Sequence, residues 1–241
     1  MTKLGGMGIM EDMRIIGALA LLTGGCSPGA GGINLPAPTG MVPVPAESAS
    51  AWAGMTVPAT NREIRFKWQV RDDQGAAGGQ GRVRWALPDS ARLDVRGPLG
   101  SGRAAAFVRG DTALWAEPES DVKRLVPNYP LFWALLGVVR APEVGSVTRR
   151  YQDASLTVWQ YQNGADTVDY VRMVGPPVRL MAEVRQGGKK IGTVQTVFGA
   201  DGLPASARLI VPAGPTRVDV TFSSNQKAFT FAPDTWTPVK P

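Results

Sequence analysis

The side chains that carry most enzyme chemistry are scarce in this chain, which has one cysteine, Cys26, and no histidine among 241 residues. Without histidine no Ser-His-Asp or Cys-His pair can form. A single cysteine also removes the usual zinc and copper sites and any disulfide framework. Carboxylate, Ser-Lys or tyrosine chemistry remains. Asp72-Asp73 is the pair to weigh, but adjacent strand residues point to opposite faces and Gly75 follows closely, so these acids read as a turn. No catalytic residue, metal site or cofactor is expected, and the chain reads as a binding protein, not an enzyme. A 44% hydrophobic composition is too high for wholly disordered chain, and a net charge of +6 favours anionic partners.

Cys26 does have a chemical context. Ile15 to Leu22 reads IIGALALL behind Arg14, and Thr23-Gly24-Gly25 lead into Cys26-Ser27. A cationic start, a short apolar core and small residues before a cut are the parts of a secretory signal. The run LLTGGC resembles the acylation box of bacterial lipoproteins, whose cysteine carries the lipid after cleavage. That resemblance implies a signal peptide over 1–25 and a lipid on Cys26. With Ser27 in second place, it also implies residence on the periplasmic face of the outer membrane. The other reading of Cys26 is a buried free thiol acting as a small hydrophobe. Export argues against nucleic acid as a partner and directs the basic surplus toward phospholipid or other acidic envelope components.

Stepping along the chain, Ser27 to Pro45 is rich in Gly, Pro and Ala and has no charge. It reads as a flexible tether, so that 26–45 holds a domain over 46–241 on the order of 25 Å from its anchor. Ala46 to Met55 suggests a short helix with Trp52 and Met55 on one side. Alternation then takes over: Ile64, Phe66, Trp68 and Val70 stand at period two against Arg65, Lys67 and Gln69. Gly75 to Gly81 reads as a turn. Val83-Trp85-Leu87 and Leu93-Val95 repeat the pattern opposite Arg82, Arg84, Arg92 and Arg96. With Arg65 these read as a solvated cationic outer face, the other reading being a face that orients the domain against anionic headgroups. Further period-two segments, separated by Gly, Asn-Gly and Pro turns, bring the total to about eleven strands, enough for a twisted antiparallel meander to curl. The exception is Asp121 to Val139, where Leu131-Phe132-Trp133-Ala134-Leu135-Leu136 is apolar on every side, as a buried helix requires. The fold class is therefore mainly β (α+β), an incomplete, half-open antiparallel barrel with a helical insertion as lid. Asp234 to Pro241, with Trp236, reads as a loosely paired closing tail.

Four features carry a family resemblance: the strands around Val83-Arg84-Trp85 and Arg92-Leu93-Asp94-Val95, the turn Gly97-Pro98-Leu99-Gly100-Ser101, the segment Leu131 to Gly137, and Gly202-Leu203-Pro204-Ala205 before a late strand. In this order they resemble the LolA/LolB lipoprotein-localisation superfamily, and most closely its outer-membrane receptor branch, LolB. The resemblance covers roughly Ile64 to Phe222. It implies an apolar cavity for the acyl chains of lipoproteins or for phospholipid, lined by Phe66, Trp68, Trp85, Leu93, Val95 and Leu135, with Trp133 at the lid. It also implies a membrane-insertion loop, Gly97, Pro98, Leu99 and Gly100, a periplasmic LolA-like carrier as docking partner, membrane attachment through the lipid anchor, and a monomer. The alternative is an envelope lipoprotein that serves as a scaffold or protein-binding β module with a solid core.

Overall fold

Residues 32–73, 75–98, 102–120, 122, 128–214 and 216–238 are described by the structure, a computed structural model. The period-two segments form thirteen strands: β1 (Val42–Pro43), β2 (Arg62–Asp72), β3 (Gly75–Ala86), β4 (Ser90–Arg96), β5 (Arg103–Arg109), β6 (Thr112–Glu117), β7 (Val147–Gln152), β8 (Leu156–Asn163), β9 (Asp166–Met173), β10 (Arg179–Gln186), β11 (Lys189–Phe198), β12 (Pro204–Val211) and β13 (Thr216–Lys227). All belong to one antiparallel sheet in the order β1-β7-β8-β9-β10-β11-β12-β13-β2-β3-β4-β5-β6. Two meanders, β2 to β6 and β7 to β13, are thus joined where β13 runs beside β2, from Arg217 opposite Arg71 to Lys227 opposite Arg62. The sheet is not closed, since β1 and β6 stand at its two edges. The result is an incomplete barrel.

Two α-helices are described, α1 (Ala46–Gly54) and α2 (Tyr129–Leu135). In α1, Ala49 and Ala53 are buried and Trp52 stacks on Trp159 at 5.5 Å between ring centroids. Met55 does not share that face and is exposed. Helix α2 packs on β10, β11 and β12. Leu131 through Leu135 are all buried, which is why a helix apolar on every side is stable here. Gly137, at φ +83°, ends it, and a side chain there would press on Pro204 and Phe198.

On β2, Ile64, Phe66 and Val70 face inward and are buried, while Arg65 and Lys67 are exposed. Four expectations need correcting. Among the described residues the strands number thirteen, because β1 and β7 join the eleven expected. Gly75 to Gly81 is not a turn but the first half of β3, and the chain reverses between Asp72 and Gly75, which stand opposite each other. The glycines give room to large neighbours: Phe66 lies opposite Gly81, and a Cβ at Gly81 would come 2.2 Å from the Phe66 ring. At Gly79 a Cβ would come 1.9 Å from the Arg96 carbonyl oxygen. Gly79→Ala is therefore expected to destabilise the fold by about 1–3 kcal/mol through overpacking. Gly54→Ala, which meets nothing within 4 Å, is expected to stabilise it by about 0.4–1 kcal/mol. Urea denaturation of the two variants measures both.

The third correction concerns the tether. Over its described part, the uncharged stretch is laid against the outer face of the sheet. Ile33 is buried, and Leu35 and Met41 pack beside it on Val158, Val171 and Met181. Val42 and Pro43 pair with Arg150 and Arg149, and the Val44 N–H donates to the Thr148 carbonyl at 3.1 Å. The physical reason lies on that outer face, where Val158, Val171 and Met181 stand in one row across β8, β9 and β10. An apolar row on the outer side of a sheet needs a cover, and the strap's Ile33, Leu35 and Met41 provide it.

The fourth concerns Arg92, read as a solvated outer-face residue but only 4% exposed. Its guanidinium pairs with Asp94 at 3.0 Å, donates to the carbonyls of Thr235 and Thr237 at 2.7 and 2.9 Å, and lies over the Trp115 ring. The tail is accordingly well held in its described part. Pro233–Trp236 forms a 3-10 helix, Trp236 meets Phe107 at 5.0 Å, and Trp115 Nε1 donates to the Trp236 carbonyl.

Candidate functional site

Where β13, β2, β3 and β4 run side by side, their inward side chains leave a gap against α2. Val218, Val220 and Phe222 come from β13, Phe66 and Trp68 from β2, Val83 from β3, and Leu93 and Val95 from β4. Phe132 and Leu135 of α2, with Leu136 just after it, close the other side. The cavity between them measures about 50 Å³. Trp68 and Phe222 are half-buried and the other nine residues buried. No side chain in this wall titrates. Its only side-chain polar atom, Trp68 Nε1, is already committed to the Gln80 carbonyl at 3.2 Å. Such a wall binds through apolar contact and offers nothing for acid, base or metal chemistry.

The wall is held by bonds outside it. Thr196 Oγ1 donates to the Ala134 carbonyl at 2.6 Å, Trp133 Nε1 donates to the Gly110 carbonyl at 2.8 Å, and the Ala113 N–H donates to Tyr129 Oη. These bonds tie the insertion to β11, to the β5–β6 turn and to β6. Phe66 and Phe222 meet edge-on at 6.3 Å on the strand side.

Of the residues expected to line a cavity, Phe66, Trp68, Leu93, Val95 and Leu135 do so, and Trp85 and Trp133 do not. Those two tryptophans are 2% and 1% exposed and pack on each other at 5.4 Å. Trp133 is a core plug, not a lid at a mouth. Sequence reasoning missed Phe132, Leu136, Val83 and the three β13 residues. Period two in Val218-Val220-Phe222 was a usable signal for the last three, but the pairing of β13 with β2 was not readable from neighbouring turns.

Gly97 and Pro98 follow β4 directly, and the Gly97 N–H donates to the Gly102 carbonyl at 3.1 Å, closing the base of the β4–β5 loop. Leu99 and Gly100, expected to insert into membrane, lie outside the described residues, as do Cys26 and the segment 1–25. The loop stems sit beside the cavity. Gln80 is opposite Arg96, so Gly79 stands at the level of Gly97, and Gly79 is itself opposite Trp68.

Two other interior and exterior features differ in chemistry from this cavity. Under α1, Trp52, Trp159, Tyr161 and Tyr170 form an aromatic cluster in which burial pushes both tyrosine hydroxyls well above their usual range. Beneath the strap, a cleft of about 450 Å³ has a polar floor that includes Gln160, Asp169, Glu183 and Lys190. Burial raises the Asp169 pKa, against the hydrogen bond from Gln160. Burial works in the same direction on Glu183, but Lys190 and Arg185 outweigh it and hold that carboxyl below its ordinary value.

Sheet and cavity together define an open antiparallel half-barrel with an interior helix and an apolar pocket between them. No family model matches the chain, and no curated protein does. Solved structures similar to it include a LolA superfamily protein from Nitrosomonas europaea, at 10% identity and a TM-score of 0.46, covering 81% of this chain and 98% of that one. They also include a domain from Vibrio parahaemolyticus described as an outer membrane lipoprotein-sorting protein, at 5% identity and a TM-score of 0.35, covering 79% and 97%.

Proposed function

We propose that this protein is a lipid-anchored envelope lipoprotein that takes acyl chains, from lipoproteins or phospholipid, into the cavity between β13, β2, β3, β4 and α2 and passes them to the outer membrane. The observation that carries the reading is the chemistry of the wall, in which all eleven residues are apolar and the one polar side-chain atom is satisfied. Each methylene withdrawn from water is worth roughly 0.8 kcal/mol, so an acyl chain gains most from a pocket of this kind. A wall without charge also adds no desolvation cost when it closes on a chain.

Size sets the mechanism. An engineered cavity of ~150 Å³ holds benzene, so about 50 Å³ admits only the end of a chain. A full acyl chain needs Phe132, Leu135 and Leu136 to move outward. Entry and release are then governed by the same three side chains, and transfer runs down a gradient of affinity from carrier to receptor to bilayer. The lipid on Cys26 and the loop carrying Leu99 would keep the site at the membrane, and a LolA-like carrier would deliver to it.

The smallness of the cavity also favours a second reading, a tethered β module that binds protein through its surface. Organic extraction of the purified full chain, followed by mass spectrometry, separates the two. Bound fatty-acyl lipid in near-stoichiometric amount is expected, and a lipid-free protein that also fails to bind added fluorescent fatty acid would leave only the module.

A further inference from the structure

The outer face of β2 to β5 separates its charges into two groups. Toward one end Arg109 donates to Ser90 Oγ and lies over the Phe107 ring, and four cations have a carboxylate, Arg84 and Arg92 meeting Asp94 and Arg65 and Arg82 meeting Glu63. The same holds on β12 and β13, where Arg208 and Arg217 share Asp219. Toward the β4–β5 loop the matching stops. Lys67, Arg96 and Arg103 are exposed, and among the described residues none has a carboxylate within 4.0 Å.

These three side chains are not scattered. Lys67 is opposite Gln80, Gln80 opposite Arg96, and Arg96 opposite Arg103, so they form one row across four strands on a single face. At about 4.8 Å per strand the row spans roughly 14 Å. Arg96 and Arg103 oppose each other directly, a like-charge pairing that disfavours the hairpin unless something neutralises it. The nearest acid on this face, Asp94 two residues before Arg96, is taken up by Arg84 and Arg92, and Asp72 and Asp73 at the β2–β3 hairpin and Glu117 opposite Ala105 stand outside the row. On the inner side of the same strand ends, Val95 and Ala104 are buried and Trp68 is half-exposed at the cavity. Cations outside and an apolar cavity inside meet at one rim.

We infer that the row Lys67–Arg96–Arg103 is a docking surface for the phosphate headgroups of an anionic bilayer, which sets this rim of the half-barrel against the membrane. The choice of a bilayer over a soluble polyanion rests on the acyl-binding reading of the cavity, while docking itself does not require the cavity to be filled. The test is flotation of the full chain, carrying Cys26→Ser so that no acyl anchor contributes, with phosphatidylcholine vesicles with and without phosphatidylglycerol. Binding is expected to favour the anionic vesicles and to fall with salt. Removing two such cations in Arg96→Gln/Arg103→Gln is expected to weaken that binding roughly 30-fold at low salt, which is about 1 kcal/mol per charge. Arg96→Lys/Arg103→Lys, which keeps the charge, restores it, and Arg208→Gln, at a neutralised position, leaves it unchanged. Thermal melts confirm that each variant is folded. Equal binding to both vesicle types, an unaffected double glutamine variant, or capture by heparin without capture by vesicles would overturn the inference. The acyl-extraction experiment is read separately, so either proposal can fail alone.

Discussion

Phe132→Ala is expected to lower stability by about 3–5 kcal/mol and, in the same protein, to strengthen the binding of a long-chain fatty acid. Phe132 is 4% exposed, packs edge-on against Trp133 at 5.1 Å and forms part of the wall of the existing cavity. Truncating it therefore enlarges a void already present and leaves that void apolar. In a solid core such a change only destabilises. In an acyl-binding pocket, the added chain fills the space that the ring vacated and should return part of the lost stability, about 2.7 kcal/mol at a ligand concentration 100 times Kd. Denaturation with and without fatty acid, run beside the parent protein, reads both effects. A larger ligand-induced stabilisation in the variant supports the account, and equal or absent stabilisation in the two proteins contradicts it.

Arg92→Met is expected to cost about 3 kcal/mol and to free the 3-10 helix Pro233–Trp236 from the sheet. Methionine keeps the length and apolar stem of the side chain but removes the charge. The carbonyls of Thr235 and Thr237 then lose their donor, and hydrogen bonds to charged groups are worth about 1.5–3 kcal/mol each. Asp94 retains Arg84 at 3.3 Å, so its carboxylate is not left alone, and the loss should stay below that of a fully orphaned buried charge. Protease cleavage in the segment after Lys227 should accelerate in the variant, with a matching change in the emission of Trp115 and Trp236. Unchanged proteolysis would mean that the ring contacts of Trp236 with Phe107 and Phe231 suffice to hold the tail.

The half-open barrel was legible because its signal is local. Ile64-Phe66-Trp68-Val70 against Arg65 and Lys67 reports one strand with one wet face, whatever the rest of the chain does. Turn residues mark most of the reversals that follow. What failed depended on partners distant in sequence. Gly79 and Gly81 look like turn residues until Trp68 and Phe66 are placed across from them. Ile33, Leu35 and Met41 look like linker until Val158, Val171 and Met181 are seen in one row on the outer face. Arg92 looks solvated until Thr235 and Thr237, more than 140 positions on, arrive above it.

The site follows the same division. Five of its residues, Phe66, Trp68, Leu93, Val95 and Leu135, were visible from alternation and from an apolar segment in an otherwise β-rich chain. On α2, however, all the residues from Leu131 to Leu135 are buried. No amphipathic pattern says whether Phe132 or Trp133 meets the cavity. That choice is made by packing, in which Trp133 is drawn to Trp85 and to the Gly110 carbonyl and Phe132 is left beside the gap.

The most direct test is to locate a bound chain. A fatty acid bearing a terminal diazirine, photolysed in complex with the purified protein and mapped by peptide mass spectrometry, should label peptides containing Phe132 to Leu136 and Val218 to Phe222. An excess of unlabelled palmitate should abolish that labelling. Labels confined to the outer face, or spread over the surface and insensitive to palmitate, would show that the space between α2 and β13 does not receive acyl chains.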